Sequence, residues 1–477
     1  MSSALVIHGH FYQPPRENPW TDEVEPEPSA APYHDWNERI HAECYAPNVV
    51  NYPNISFNFG PTLLTWLERH HLDTYEKILV ADKESAARCS GHGNAIAQAY
   101  GHAILPLCNA RDRVTQIVWG LADFRYRFGR EAEALWLPET AANDEVLALL
   151  IDQGMRYVIL SPNQARGKVN TSKPHLFRHP DGSNRSLAVF FYNGPLAQAI
   201  AFEKALASSR GLVEQFLRAA QAGDLVNVAT DGETYGHHFK FGDLCLAHAL
   251  EVEAKEAGFW ITNYGEYLDR HPPESEVEID NGPDCEGSSW SCVHGVGRWS
   301  RDCGCHTGGE PGWNQSWRRP LREALNFLRD DTAIKFEDLG RELLRDPWGA
   351  RNDYIAVILN EHRGRDEFFA RHALRPLDET RALKLLEMQR SALLMFTSCG
   401  WFFSDLAGIE TIQVMRYAAR VIDLQNQLGF EPPQRHFLEM MAEAKSNDPE
   451  KGNGADIFLR FAEQFPAKAQ RSKEKEP

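Results

Sequence analysis

Apolar runs alternate with helix-like segments through the first half of the chain, and this alternation limits the possible folds more than any other feature. Seven runs are apolar, partly β-branched or aromatic, and bounded by Gly, Pro, Asn or Asp, which is typical of buried strands. They are residues 4–8, 55–59, 134–137, 157–161, 187–192, 225–229 and 259–262. Strands that alternate with helices predict a parallel sheet, here closed or nearly closed into a β/α barrel.

The composition divides the chain into several parts. Its 477 residues exceed the roughly 250–300 residues at which single cores stop growing, so we expect two domains. We predict a catalytic barrel over 1–270 and a mainly helical domain over 320–467. Between them, residues 271–319 form a Gly/Trp/Cys-rich connecting region that lines the cleft. Residues 468–477 are charged and are expected to form a disordered tail.

The charge and the cysteine usage restrict partners and location. A formal charge of −17 disfavours binding to nucleic acid and to anionic lipid surfaces, because both are negatively charged. We therefore expect a neutral substrate. No apolar run reaches the ~20 residues of a membrane span, and no signal peptide is visible. The 9 cysteines sit mostly among apolar neighbours, which favours a reducing cytoplasm. The oligomeric state cannot be read from the sequence.

Two acidic residues follow predicted strands. Asp231 comes just after the run 225–229, and Glu139 follows the run 134–137 and Pro138. Chemistry in β/α barrels collects at the carboxyl ends of strands. Taken alone, Glu139 could equally well be an acidic residue that stabilises the N-terminus of the next helix through the helix dipole. As a pair, however, the two carboxyls can flank a glycosidic bond, one as proton donor with a raised pKa and one as an ionised nucleophile.

His8 and His10 lie two residues apart at the end of the first predicted strand, so both side chains project to one face. Two neighbouring imidazoles can bind a metal or hold hydroxyl groups. Alternatively, one could be a core histidine that satisfies a backbone carbonyl. We favour a role in the site.

Four motifs in order resemble glycoside hydrolase family 57, in the subgroup that carries an additional helical domain of unknown function. They are His8-Gly9-His10-Phe11-Tyr12-Gln13-Pro14, Gly101-His102-Ala103-Ile104-Leu105-Pro106-Leu107, Trp136-Leu137-Pro138-Glu139 and Asp231-Gly232-Glu233-Thr234-Tyr235-Gly236-His237.

This resemblance implies a fold and a mechanism. The fold would be a distorted, TIM-like (β/α)7 barrel followed by a mainly α-helical C-terminal domain. Glu139 would be the nucleophile and Asp231 the general acid/base of a retaining reaction on α-glycosidic bonds. The resemblance places further residues around the sugar, and together with residues proposed from the sequence they give a predicted substrate-binding set of His8, His10, His102, Trp136, Glu233, His237 and Trp290.

The chain also departs from the family pattern. Phe11 and Tyr12 separate the histidine pair from Gln13-Pro14. In commoner members of the family, the second histidine is followed directly by Gln-Pro. Ser288-Ser289-Trp290 resembles a fifth motif, but the residues that follow it belong to the subgroup alone. The family includes amylases, branching enzymes, glucanotransferases and galactosidases, so the glycan, the linkage and the balance of hydrolysis and transfer stay open.

Two segments allow alternative interpretations. Cys285, Cys292, Cys303 and Cys305, with His294 and His306 nearby, could form a zinc site, but their spacings do not follow a paired knuckle. We therefore favour buried free thiols and predict neither metal nor cofactor. The segment 397–405 interrupts two helices. Trp401 or Asp405 could contact substrate there, or the segment could simply join helices around a buried tryptophan.

Three classes of function follow. The first is a retaining α-glycosidase or transglycosylase acting on an oligo- or polysaccharide through Glu139 and Asp231. The second is a metal-dependent carbohydrate hydrolase or deacetylase that uses His8, His10 and Asp231. The third is a noncatalytic glycan-binding protein, which ranks last because both acids are present.

Overall fold

The computed structural model describes residues 3–376 and 378–462. These residues form two compact units. The first contains the chain up to Gln13 together with 26–100 and 124–291, and the second contains the remainder of the described residues. The segments 14–25 and 101–123 thus fold with the C-terminal part, unlike in the predicted division, which followed the chain without interruption. The predicted tail 468–477 lies outside the described residues.

Among the described residues, every strand lies in the first unit, and each of the seven predicted runs includes one. The strands are β1 (Ala4–Phe11), β2 (Ser56–Phe59), β3 (Ala97–Gln98), β4 (Leu135–Trp136), β5 (Tyr157–Leu160), β6 (His175–Arg178), β7 (Ser186–Phe191), β8 (Leu225–Asp231) and β9 (Trp260–Ile261).

Seven of these strands lie side by side and parallel around a barrel, in the order β8, β1, β2, β3, β4, β5 and β7. β8 pairs with β1 and β1 with β2. Bridges or ladders then lead through β3 and β4 to β5 and β7. The barrel closes where Asn193, after β7, donates its amide to the Asn227 carbonyl of β8 at 2.8 Å. β6 is an antiparallel partner of β7, and β9 pairs with the start of β1. This is the predicted distorted (β/α)7 barrel.

The α-helices occur in both units and range from 3 to 26 residues in length. In chain order they are α1 (Trp36–Ile40), α2 (Pro61–His70), α3 (Leu72–Arg88), α4 (Ala110–Phe128), α5 (Asp144–Asp152), α6 (Gly194–Phe202), α7 (Ser209–Ala219), α8 (Gly242–His248), α9 (Ala254–Glu256), α10 (Tyr264–Arg270), α11 (Arg318–Leu343), α12 (Pro347–Asp353), α13 (Ile355–Leu359), α14 (Glu361–His372), α15 (Glu379–Leu394), α16 (Cys399–Phe402), α17 (Ile409–Gln427), α18 (Gln434–Met441) and α19 (Gly454–Ile457).

Local sequence signals set several of these ends. The Asn143 side chain accepts from the Val146 amide at 3.0 Å and caps α5, as expected for an asparagine before an apolar periodic run. Within the predicted helical domain, α11 runs unbroken for 26 residues, and no Gly or Pro interrupts it between Pro320 and Gly340. The second unit is mainly helical, and its core includes Leu325 and Leu385. Within the described residues, no helix combines the length and apolarity needed to cross a bilayer.

Candidate active site

The register of β1 and β8 places the first candidate residues side by side. His10 is opposite Asp231 across the parallel ladder. β1 and β8 therefore present these two side chains at the same carboxyl edge, where barrel enzymes carry their chemistry. Asp231 as a residue is exposed to solvent, whereas its carboxyl is surrounded by protein atoms that remove its hydration.

Glu139 lies in a backbone conformation that L-residues rarely adopt. Its φ is 60° and that of Thr140 is 51°, and such left-handed residues cost of order 1–3 kcal/mol each. Gln164 holds this turn: its Oε1 accepts from Thr140 Oγ1, and its Nε2 donates to the Thr140 carbonyl, both at 2.8 Å. Strain that is held this firmly is typical of a functional turn.

The segment Ser288–Ser291 fastens the Glu139 turn from a second side. Ser288 and Ala142 exchange backbone hydrogen bonds of 2.9 Å in each direction, and the Trp290 amide donates to the Glu139 carbonyl at 3.1 Å. Glu139 Oε2 then accepts from Trp290 Nε1 at 2.9 Å and from Ser291 Oγ at 2.7 Å. Two donors on one oxygen stabilise the negative charge of this carboxylate.

The environment of Asp231 has the opposite effect. Burial among protein atoms, followed by the negative charges of Glu139 and Glu233, raises the pKa of Asp231 well above its usual range. Glu139 is thus close enough to act electrostatically on Asp231. One carboxyl is held by donors and the other tends to keep its proton, which is the asymmetry that an acid and nucleophile pair requires.

The two histidines of β1 form a neutral pair over a tryptophan. Asn58 joins them: its Oδ1 lies 3.0 Å from His8 Nε2, and its Nδ2 lies 2.9 Å from His10 Nδ1. Burial lowers the pKa of each imidazole to about 3, and for His10 the neighbouring His8 adds to this. Both rings stack on Trp136, with centroids 4.8 and 4.9 Å away. Trp136 is only 1% exposed, so its ring packs against the imidazoles and offers almost no surface to a ligand.

Glu233 is buried and bound to its neighbours. Its Oε1 accepts from the Tyr12 amide at 3.0 Å and from the Tyr45 hydroxyl at 2.7 Å. Burial raises the pKa of Glu233 to about 7. Glu233 was predicted to bind substrate, and by the resemblance it would hold either a sugar hydroxyl or a neighbouring residue; these contacts favour the neighbouring residues. His237 is half-buried, and its Nδ1 lies 2.5 Å from Glu43 Oε2.

The inserted Phe11 has a packing role behind the site. Its ring stacks on Phe59 with centroids 4.8 Å apart. A Cβ on Gly232 would lie 2.3 Å from two atoms of this ring, and one on Gly9 would lie 2.7 Å from a third. Gly9 within β1 and Gly232 just after β8 therefore make room for Phe11.

Three predicted site residues belong to the second unit. His102 has a φ of 51° and its Nδ1 lies 2.6 Å from Ser398 Oγ. Trp401 has no exposed surface, and its Nε1 donates to the Arg318 carbonyl. A ring with no exposed surface offers no face to a sugar in this structure, which favours the alternative of a segment that joins helices around a buried tryptophan. Asp405 accepts from the Asn447 amide at 2.6 Å and from Ser446 Oγ, so its carboxylate fastens this loop.

The cysteines of the connecting region are arranged differently from the favoured interpretation. Cys285 is exposed, whereas Cys303 and Cys305 are half-buried, so buried thiols describe only Cys292. Cys292, Cys303 and Cys305 converge with His294. His306 lies outside this group, and its Nδ1 accepts from the Gly308 amide.

Several residues of the site were not identified from the sequence. Asn58 could have been found, because a polar residue in the otherwise apolar end of a buried strand needs partners. Gln164 and Ser291 carry no comparable signal, since their contacts with Thr140 and Glu139 join segments 24 and 152 residues apart.

The chain is similar to several known proteins. The family model described as glycosyl hydrolase family 57 matches residues 11–280, and one described as a domain of unknown function, DUF3536, matches 313–472. An α-amylase from Pyrococcus horikoshii is 24% identical over 269 residues, which are 53% of this chain and 40% of that protein. A 4-α-glucanotransferase from Thermococcus litoralis is 22% identical over 247 residues, 50% of this chain and 36% of the relative. The matched region thus spans less than half of these curated relatives.

Solved structures show the same fold. An exo-type maltose-forming amylase from Pyrococcus sp. ST04 superposes with a TM-score of 0.74 at 15% identity, covering 92% of this chain and 83% of that one. A branching enzyme from Pyrococcus horikoshii gives a TM-score of 0.58 at 15% identity, with 97% and 96% covered. Because the family model matches more than half of the chain, this protein belongs to glycosyl hydrolase family 57.

Proposed function

We propose that this protein is a retaining glycosidase or transglycosylase that acts on α-glycosidic bonds of an α-glucan or a related oligosaccharide. The observation that carries the proposal is the unequal carboxyl pair: Glu139 accepts two hydrogen bonds on one oxygen, while the pKa of Asp231 is raised. The names of relatives, which include α-amylases and 4-α-glucanotransferases, support an α-glucan as the substrate.

The chemistry proceeds in two displacements. In the first, the Glu139 carboxylate attacks the anomeric carbon, the bond from that carbon to the glycosidic oxygen breaks, and Asp231 gives its proton to the departing oxygen. In the second, Asp231 takes a proton from water or from a sugar hydroxyl whose oxygen attacks the anomeric carbon. Glu139 leaves as a carboxylate, and the anomeric configuration is retained.

Other residues shape the site for a neutral sugar. His10 stays uncharged at neutral pH, because its pKa is lowered to about 3, and a neutral imidazole suits a hydroxyl group. His8 is fully buried and bound to Ser56 and Asn58, so it supports His10 through Asn58 rather than offering a nitrogen to the sugar. Trp290 is half-buried and stands edge-on to Trp136 at 5.2 Å. It is therefore placed to bound a subsite beside Glu139 while it donates to that carboxylate. A cytoplasmic location and the absence of nucleic-acid and membrane partners stay predictions.

The metal-dependent alternative is not favoured. Both ring nitrogens of His8 already have protein partners, since Nδ1 lies 3.0 Å from Ser56 Oγ and Nε2 lies 3.0 Å from Asn58 Oδ1. A metal ligand needs a free lone pair on one nitrogen. Binding an ion at His8 would therefore require breaking one of two buried hydrogen bonds.

Azide rescue of two variants tests the assignment. With an activated α-glucosyl substrate that needs no acid, azide can replace Glu139 in Glu139→Ala, attack from the opposite face and yield the β-glycosyl azide. In Asp231→Ala the glycosyl-enzyme forms normally, and azide then yields the α-glycosyl azide. On maltooligosaccharides, Asp231→Asn should lower kcat/KM by about 10²–10⁴-fold.

The exposed Glu278, 79% accessible, provides a control in the same unit, and Glu278→Gln should leave turnover unchanged. Azide products of the same configuration from both variants, or unchanged turnover in Glu139→Gln, would refute the assignment. The product profile of the unmodified enzyme on maltoheptaose then separates hydrolysis, which gives only shorter products, from transfer, which also gives longer ones.

A further inference from the structure

Four potential metal ligands converge in the region that follows the active-site segment. Cys292, His294, Cys303 and Cys305 each point one ligand atom to a common centre, and these atoms all lie within 4.8 Å of one another. The surrounding chain has little regular structure apart from a single 3-10 turn, Gly297–Trp299. The convergence is therefore not a by-product of helix or strand periodicity.

Three of the six ligand-to-ligand separations match those of a metal-centred tetrahedron, and the other three are within 4.8 Å. Cys292 Sγ lies 3.8 Å from both Cys303 Sγ and Cys305 Sγ, and Cys305 Sγ lies 3.5 Å from His294 Nδ1. With zinc–sulfur and zinc–nitrogen bonds of about 2.3 and 2.0–2.1 Å, a regular tetrahedron has sulfur–sulfur edges of about 3.8 Å and sulfur–nitrogen edges of about 3.5 Å. A disulfide would instead bring two sulfurs to about 2.05 Å.

The backbone between the ligands is suited to this arrangement. Cys303 and Cys305 are separated only by Gly304, whose φ is +80°. This left-handed residue bends the chain so that both neighbouring thiols can turn to one point, and glycine adopts it without strain. The space around Gly304 is open, so the glycine is required by the conformation rather than by a close neighbour.

The local charge also fits a thiolate cluster. Arg318 is fully buried, and its Nη1 donates to the Cys305 carbonyl at 2.7 Å. Its guanidinium lies close enough to all three thiols to interact with them electrostatically. Three thiolates and a neutral imidazole around Zn²⁺ carry a net charge of −1, which attracts the buried Arg318 and the nearby Arg298. Neutral thiols would give these buried cations no such attraction.

We propose that Cys292, His294, Cys303 and Cys305 bind one Zn²⁺ ion. All four tetrahedral positions are taken by side chains, so no position is open for a substrate, and the ion is structural. It cross-links a loop that has few backbone hydrogen bonds of its own. The site is independent of the glycosidase chemistry proposed above.

Metal content of the full-length protein tests this proposal. Protein purified without a metal-affinity step should contain about one zinc per chain by plasma mass spectrometry. The double variant Cys303→Ser/Cys305→Ser should lose it. Two matched controls, Cys285→Ser and His306→Asn, change the same residue types nearby but outside the cluster and should keep it. Less than about a tenth of an equivalent in zinc-supplemented protein, or equal zinc in the double variant, would overturn the proposal.

Cobalt exchange provides a readout that does not depend on any variant folding. Replacing zinc by Co²⁺ in the unmodified protein should give thiolate-to-cobalt charge transfer and the intense visible bands of a tetrahedral ion. Removing zinc with a chelator should lower Tm, and Zn²⁺ but not Mg²⁺ should restore it. A folded protein that gives no cobalt–thiolate band would contradict the assignment. So would a protein mass lower by two hydrogen atoms than that of the reduced chain, because it would show that Cys292 forms a disulfide.

Discussion

The fit of Phe11 between two glycines leads to a quantitative prediction for Gly232→Ala. The new Cβ would lie 2.3 Å from Phe11 Cδ1 and Cε1 and 2.6 Å from Cζ, whereas carbon atoms attract optimally at about 3.5–4.0 Å. The ring cannot move away easily, because it is stacked on Phe59 and stands edge-on to Tyr52 at 5.4 Å. We therefore expect the full overpacking cost of about 3 kcal/mol.

Calorimetry and kinetics should both detect this overlap. A loss of about 3 kcal/mol lowers Tm by about 6–12 °C in a unit of roughly 150–250 residues. Gly232 follows Asp231 directly. Any backbone movement that relieves the overlap with Phe11 therefore also displaces Asp231, the proposed acid. A displacement of about 1 Å costs about 10²-fold in kcat.

A double-mutant cycle identifies the cause. Phe11→Ala removes every ring atom that the new Cβ would meet and costs about 3–5 kcal/mol through the cavity it leaves. In that background Gly232→Ala should cost less than about 0.5 kcal/mol. Gly211→Ala is the matched control: its Cβ would be 3.5 Å from Ser208 Cβ, and it lies in α7, so it should be neutral or stabilising by up to about 1 kcal/mol. Equal costs of Gly232→Ala with and without Phe11 would refute the steric explanation.

Two further predictions concern the charges of the site. Because burial raises the pKa of Glu233 from 4.5 to about 7, the folded protein binds this proton more tightly than the unfolded chain. Its contribution, about 3 kcal/mol, is fully present below pH 4.5 and is lost as the pH rises to about 7. Glu233→Gln should flatten that part of the Tm-against-pH curve, and an unchanged slope would contradict it. Trp290→Phe keeps an aromatic ring but removes the donor to Glu139 Oε2, so kcat/KM should fall by about tenfold, the equivalent of one charge-assisted hydrogen bond. Full activity would show that this donor does not serve the reaction.

The sequence contained the information for the barrel because strand burial and helix amphipathicity are local patterns. All seven predicted runs contain strands, and the Asn143 cap lies where the side-chain chemistry requires it. Strands β3 and β6 were missed because neither lies in a sufficiently apolar run: Ala97–Gln98 is short and half polar, and His175–Arg178 begins and ends with a basic residue. The motif residues Glu139 and Asp231 could be found because strand ends are visible in the sequence.

Only the tertiary structure decided how these residues are held and charged. The raised pKa of Asp231 comes from burial and from Glu139, 92 positions earlier in the sequence. The contacts of Ser291 with Glu139, the complete burial of Trp401 and the convergence of three cysteines with His294 likewise join atoms distant along the chain. Hydrogen bonding, desolvation and ligand geometry depend on distances in space, and residue spacing does not specify those distances until the chain has folded.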